Sequence, residues 1–234
     1  MTTPSPSHCA GLLLLPGMTQ LDLTGPLEVL ARLPGWRVEI VARSTAPVRA
    51  DSGLIIQPDT DFAHAADYAL FVVPGGPGID DAILDAATVD FVARKSAAAR
   101  YIFGICTGSL LLGAAGLLIG RRSGGHWQAR DLLSAFGATP SDDRLTVDGN
   151  IYTSGGVTAG IDMALLVAAD LVGEDIAQQI QLQIEYDPQP PFKAGTPFVA
   201  PAAVVQRAVA ANAGRRALRV AAVNQAAAAM RRQC

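Results

Sequence analysis

The chain has 234 residues, 50% of them hydrophobic, with 18 Lys and Arg against 21 Asp and Glu and a formal net charge of -3. That length suits one α/β domain with a sizeable core, and near-balanced charge gives no broad attraction for nucleic-acid phosphates. A small neutral substrate fits this balance, and a single domain over residues 1–234 is expected.

The opening MTTPSPSHCAGLLLLPG carries no Lys or Arg before its short apolar run, which is too brief for a signal peptide and reads instead as a first buried strand over His8–Leu15. Apolar runs without alternation recur at Trp36–Ala42, Ala69–Val73 and Tyr101–Ile105, the pattern of strands buried on both faces. Between them lie amphipathic helical patterns at Leu27–Leu33, Ala87–Ala99, Ser109–Ala115, Ala129–Phe136, Ala159–Leu171 and Ile176–Ile184. Thr24, Gly25 and Pro26 read as the cap region of the first helix. Alternating strands and helices predict a central, mostly parallel sheet with helices on both faces. Two stretches read as hairpins near a sheet edge: Val48–Ile56 around Asp51-Ser52-Gly53, and Leu145–Thr153 around Asp148-Gly149-Asn150.

The run SLLLGAAGLLIG is broken by glycines and falls short of the ~20 residues that span a bilayer. A soluble, cytoplasmic protein without membrane association is expected. The proline-rich Asp187–Pro197 would ordinarily mark a linker, but too little chain follows for another domain. Residues 198–234 read as a C-terminal helical extension, alanine-rich, with Arg207, Arg215, Arg216, Arg219, Arg231 and Arg232 on a solvated basic face. Cys9, Cys106 and Cys234 are odd in number and far apart, a poor disulfide framework and a poor zinc site, so no metal is expected.

Chemistry concentrates at Gly104-Ile105-Cys106-Thr107-Gly108, where a buried strand runs into a helix with the spacing of a nucleophile elbow. A sharp turn there leaves no room for side chains two residues either side of the nucleophile. Cys106 would project above the carboxyl edge of the sheet, and the free N–H groups of the following helix would lower its pKa. The alternative is a small buried hydrophobe, the reading kept for Cys9 in the first strand and Cys234 at the chain end. A second loop, Pro74-Gly75-Gly76-Pro77-Gly78, either offers the Gly76 N–H to charge developing on substrate or is an ordinary tight turn. It lacks the Lys of a phosphate-binding loop. In Pro16–Pro26, Asp22 stands between Leu21 and Leu23; a buried carboxylate must be paired or protonated, unless Asp22 is simply a helix cap.

Taken together, PGMTQLDLTGPLEVL, VVPGGPG, GICTGSLLLGAAGLLIGRR, HW, SGGVTAGIDMALLVAADL and QLQIEYDPQPPFKAGTP resemble the ThiJ/PfpI superfamily, and within it the isonitrile hydratase branch. The resemblance covers nearly the whole chain. It implies a flavodoxin-like α/β sandwich, a homodimer, no cofactor, and catalytic roles for Cys106, Asp22 and Thr107. Substrate or oxyanion contacts are expected at Gly76, Gly155 and Val157, with pocket size set by Met18, Trp127 and Val157.

Two departures matter. Relatives carry Ala-Thr-Thr-His-Trp where this chain has Ser123-Gly124-Gly125-His126-Trp127, so hydroxyl contacts made there are lost. Thr107 occupies the position of the histidine that follows the nucleophile in protease-like members, and His126 is more often structural than catalytic.

The chemistry implied is hydration of an isocyanide. A Cys106 thiolate attacks the terminal carbon while protonated Asp22 supplies the proton; water then adds to the thioimidate and an N-substituted formamide leaves. Competing readings are glyoxalase-like, amidase or redox-responsive thiol activity on the same elbow. A further competing reading is a sensor domain related to AraC-type regulators, but the arginine-dotted tail is too short for a DNA-binding domain, so no nucleic-acid partner is expected.

Overall fold

The apolar runs become the interior strands of one seven-stranded sheet. In this computed structural model residues 8–232 are described. The expectations about the first seven residues and Cys234 lie outside them. The strands are β1 (His8–Leu13), β2 (Trp36–Ala42), β3 (Thr60–Asp61), β4 (Leu70–Val73), β5 (Tyr101–Ile105), β6 (Leu145–Asp148) and β7 (Ile151–Ser154). Across the sheet they run β6-β7-β5-β4-β1-β2-β3, every neighbouring pair parallel except β6 with β7. β4 and β5 are buried along their whole length, which is why their sequences do not alternate.

The helices are α1 (Gln20–Leu30), α2 (Ile79–Ala82), α3 (Ala86–Ala98), α4 (Gly108–Ala114), α5 (Ala159–Val172), α6 (Glu174–Gln183), α7 (Ala202–Ala211) and α8 (Ala213–Arg231), with a 3-10 turn at Arg130–Phe136. α1 packs on α5, while α3 packs on α4, which also meets α8. The mostly parallel sheet and its helices form the flavodoxin-like sandwich expected from the alternation of elements.

Strand order reverses between β1 and β4: from β1 the chain moves first outward to β2, then returns to β4 and β5 on the other side. Register places Leu12 beside Val72 and Val73 beside Gly104, so the loops after β1, β4 and β5 leave the same edge together. Such a switch point is where open parallel sheets form a crevice. The three loops singled out from sequence converge there.

Three expectations change. α1 starts at Gln20, not Leu27, and Thr24, Gly25 and Pro26 lie inside it. Proline forfeits a main-chain bond in a helix, yet Pro26 is buried against α5, where a Cβ on Gly160 would lie 3.3 Å from its Cγ. The Val48–Ile56 hairpin forms, pairing Val48 with Ile56, but as a separate two-stranded ribbon and not at the sheet edge. It braces the first loop instead: Gly17 N–H donates to Arg49 O and Asp51 N–H to Met18 O, each at 2.9 Å. The second hairpin, β6–β7, does form the edge.

The third correction concerns the tail. α8 is docked, burying Ala222, Val223, Ala226, Ala227 and Met230 together with Arg219, so the basic face is not wholly solvated. α7 buries no residue, and Phe192, Phe198 and Val199 before it are exposed. Among the described residues no helix is long and apolar enough to cross a membrane.

Candidate active site

Cys106 follows β5 and opens the turn into α4 with φ 57°, a left-handed conformation that costs a non-glycine residue on the order of 1–3 kcal/mol. The surrounding packing enforces it. A Cβ on Gly108 would lie 2.3 Å from Val73 O, backbone that cannot give way, and one on Gly104 would lie 2.7 Å from Leu112 Cδ1 and 3.3 Å from Ser109 Cα, so the turn packs tightly on both sides of the cysteine. Cys106 N–H donates to Ser154 O at 3.3 Å and its carbonyl accepts His126 N–H at 3.1 Å. The residue is 5% exposed.

Asp22 sits in the first turn of α1, where a carboxylate ordinarily serves the helix end. Here the side chain turns inward and is fully buried. Oδ2 accepts the Gly75 N–H at 2.9 Å, while Oδ1 has no partner of hydrogen-bond geometry. The cap residue Thr19 does not cap; its Oγ1 donates to Asp51 Oδ2 at 2.8 Å. Asp22 and Cys106 act on each other directly. Burial pushes Asp22 up to about 7 against the downward pull of the Gly75 N–H and the thiol.

The elbow was expected to lower the thiol pKa, and here the structure differs. Burial, then the Asp22 charge, push Cys106 well above the usual thiol range, outweighing the Thr107 N–H and the guanidinium of Arg219. Both members of the pair therefore resist ionisation. Cys9 is likewise buried, its thiol pushed up to about 11, as befits an inert core residue.

Thr107 is buried, and its Oγ1 is anchored on one residue: it accepts Gly76 N–H at 2.8 Å and donates to Gly76 O at 3.2 Å. The Gly76 N–H, expected to face developing charge on substrate, is thus committed to Thr107. Gly75 does the unforeseen work. A Cβ there would lie 2.5 Å from Thr107 N and 2.9 Å from Asp22 Oδ2, so the bare backbone is wedged between acid and hydroxyl.

Gly155 and Val157 lie on the loop after β7, along the same edge, and the Gly155 N–H is donated to Arg144 O at 2.9 Å. Gly124 N–H donates to Thr153 Oγ1 at 2.7 Å, and a Cβ on Gly125 would press to 3.2 Å from Cys106 O. The His126 ring accepts Gln128 N–H at Nδ1 (3.3 Å), and burial, then Arg219 and Arg130, lower its pKa, keeping it neutral. Met18 is fully buried beneath Gly76, whereas Trp127 lines a cavity of about 560 Å³ with Gln128, Val209, Arg216 and Arg219.

Arg219 is the residue that sequence reading missed. It reaches back from α8 to donate from Nε to Asp80 Oδ1 at 2.6 Å and from Nη2 to Gly76 O at 3.3 Å. The signal was present: Arg219 shares helical spacing with Ala222, Val223 and Ala226, the buried face of α8.

The chain belongs to the DJ-1/PfpI family, matching it over residues 9–170, a span that includes the strained cysteine at the strand-to-helix elbow and the switch point of the sheet. Within it the chain is 50% identical over 198 residues to the isonitrile hydratase of Pseudomonas putida, covering 85% of this chain and 87% of that one. It is also similar to a crystal structure of a ThiJ/PfpI family protein from Pseudomonas syringae, with TM-score 0.90 and 41% identity over 94% of this chain and 91% of that one. A transcriptional regulator of Pseudomonas aeruginosa, GbdR, is 32% identical over 76% of this chain but only 50% of its own length.

Proposed function

We propose that the protein hydrates isocyanides to N-substituted formamides through a covalent bond to Cys106. The observation that carries this reading is the buried Asp22 carboxyl, tied by one oxygen to Gly75 N–H, with its other oxygen unpartnered and the carboxyl interacting with the Cys106 thiol. The 50% identity to an isonitrile hydratase supports it.

Both groups being held back from ionisation, the resting pair shares one proton near neutral pH. Asp22 takes the thiol proton as sulfur bonds to the terminal carbon of the isocyanide, and returns it to that carbon, giving a thioimidate R–N=CH–S. Ionised Asp22 then takes a proton from water as the oxygen adds to the same carbon and passes it to the imine nitrogen. Collapse to the formamide expels sulfur while Asp22 takes the hydroxyl proton and delivers it to the thiolate. One water is consumed, nothing is oxidised, and the chemistry asks for neither metal nor redox cofactor. Thr107 Oγ1, locked on Gly76, fixes the loop that borders the reacting carbon. Gly155 and Val157, on the neighbouring loop, border the substrate. The protein acts as a cytoplasmic homodimer, the exposed Phe192, Phe198 and Val199 supplying apolar surface for a second copy.

The test is incubation with cyclohexyl isocyanide, with formamide followed by NMR. Turnover by the native protein and none by a folded Cys106→Ala or Cys106→Ser variant is expected; full activity in either variant, or no turnover by the native protein, overturns the proposal.

A further inference from the structure

We propose that Arg219 is a positioning residue of this active site, and that α8 belongs to the catalytic unit because its guanidinium clamps the Gly76 carbonyl of the loop that orients Asp22 and Thr107. The inference rests on the reading of Cys106 and Asp22 as the catalytic pair.

The side chains of Arg219 and Asp80 are 10% and 15% exposed, so the ion pair between them is sheltered from water. A buried guanidinium left short of partners is strongly destabilising, and among the described residues Arg219 places its donors on two acceptors, Asp80 Oδ1 and Gly76 O. Gly76 O accepts Thr107 Oγ1 as well, and Gly76 N–H returns a bond to the same hydroxyl. One residue earlier, Gly75 N–H holds Asp22 and Gly75 O accepts Thr19 N–H at 2.9 Å. Two successive peptide units thus grip the acid and the hydroxyl, and Arg219 holds the second of them by its carbonyl.

Docking of α8 does not explain this arrangement. Its apolar face already buries Ala222, Val223, Ala226, Ala227 and Met230, and Arg216 fastens the same helix to Asp131 at 2.5 Å. An apolar residue of similar volume would pack the helix about as well. It would supply no clamp on Gly76 and would remove a positive charge. The charge of Asp22 opposes the Cys106 thiolate, and that of Arg219 favours it. Around them His126 is held neutral by burial with Arg219 and Arg130, and Asp51 acts on Asp22. Asp80 partly neutralises the guanidinium.

Two substitutions separate this role from a structural one. Arg219→Met removes the cation, whereas Asp80→Asn leaves it unneutralised, so thiolate formation at Cys106 shifts in opposite directions. The readout is the rate of Cys106 alkylation by iodoacetamide across the alkaline range, by mass spectrometry of the modified peptide. At a fixed pH of about 9 the rate should fall about tenfold in Arg219→Met and rise several-fold in Asp80→Asn. Formamide production should fall about 10- to 100-fold in kcat for Arg219→Met with KM little changed.

Shifts in the same direction, or no shift in either variant, overturn the electrostatic role. Should Arg219→Met fail to fold by circular dichroism, Arg219→Lys carries the test: it keeps the charge but not the fork, so alkylation stays near native while kcat falls, and full kcat overturns the clamp. Alkylation needs no isocyanide, so an unmoved profile refutes Arg219 without touching hydration, and absent hydration leaves the alkylation result standing.

Discussion

Asp22 holds the backbone N–H of Gly75 with one oxygen, 2.9 Å away, leaves the other without a hydrogen-bond partner, and interacts with the Cys106 thiol. The bond fixes the carboxyl in place without filling it, so it can both receive and return a proton. With Asp22 pushed up to about 7 by burial and the thiol pushed higher still, the pair loses its first proton near neutrality. A singly protonated pair contains the reactive arrangement, thiolate beside carboxylic acid, as a minor tautomer. kcat/KM should therefore rise through about pH 7 and level off above it, and this limb should vanish in Asp22→Asn. A profile flat from pH 5 to 9 would remove Asp22 from the proton path.

The same burial has a cost in stability whose sign follows from linkage. Asp22 has its folded value near 7, above its ordinary 3.8. Below the lower value both states hold the proton; between the two the unfolded chain releases it while the folded chain retains it, so stability drains as pH rises. Above the upper value the loss is complete, on the order of 4 kcal/mol. Asp22→Asn keeps an acceptor for Gly75 N–H and carries no charge. It should be more stable than the native protein at about pH 8 and level with it at about pH 4, by urea unfolding at both. An equal difference at the two pH values would show that the carboxyl is not buried as described.

Thr107 presents a simpler case, because both of its side-chain bonds go to one residue. Thr107→Val preserves shape but strands the buried Gly76 N–H, at about 1–3 kcal/mol. Stability should drop by that amount and kcat by more than tenfold, while Thr107→Ser restores most of both. A valine variant with native kcat would leave the hydroxyl without a role in turnover.

How much of this was legible in the sequence differs from element to element, and for physical reasons. The strands β1, β4 and β5 were plain because residues buried on both faces cannot alternate, whereas β2 is only partly buried over most of its length, and the elbow was plain because its spacing is a steric requirement. α1 was misplaced because Thr24, Gly25 and Pro26 have the local chemistry of a cap, yet tertiary packing against α5 overrides it. The thiol pKa came out in the wrong direction because a helix terminus is visible in a sequence, whereas desolvation by the assembled loops is not. Arg219 was hidden by its neighbours Arg215 and Arg216, which made the segment read as one solvated face; only the helical phase with Ala222 and Val223 sets it apart.

Gly75 brings these strands of argument to one atom. A methyl group there would sit 2.5 Å from Thr107 N, 2.8 Å from Thr107 Oγ1 and 2.9 Å from Asp22 Oδ2, distances real Cβ atoms do not adopt. Two of those three atoms belong to groups assigned to the reaction, and the third is backbone in the tight turn after Cys106, so none yields without moving the site. Gly75→Ala should cost about 1–3 kcal/mol by overpacking and lower kcat by more than about a hundredfold, since displacement of about 1 Å is enough for that. Gly214, in α8, meets nothing within 4 Å, so Gly214→Ala should leave activity intact and stabilise the helix by up to about 1 kcal/mol. Thermal unfolding and isocyanide turnover measured on both variants check the pair, and a Gly75→Ala variant with native turnover would mean that the loop is not wedged between Asp22 and Thr107.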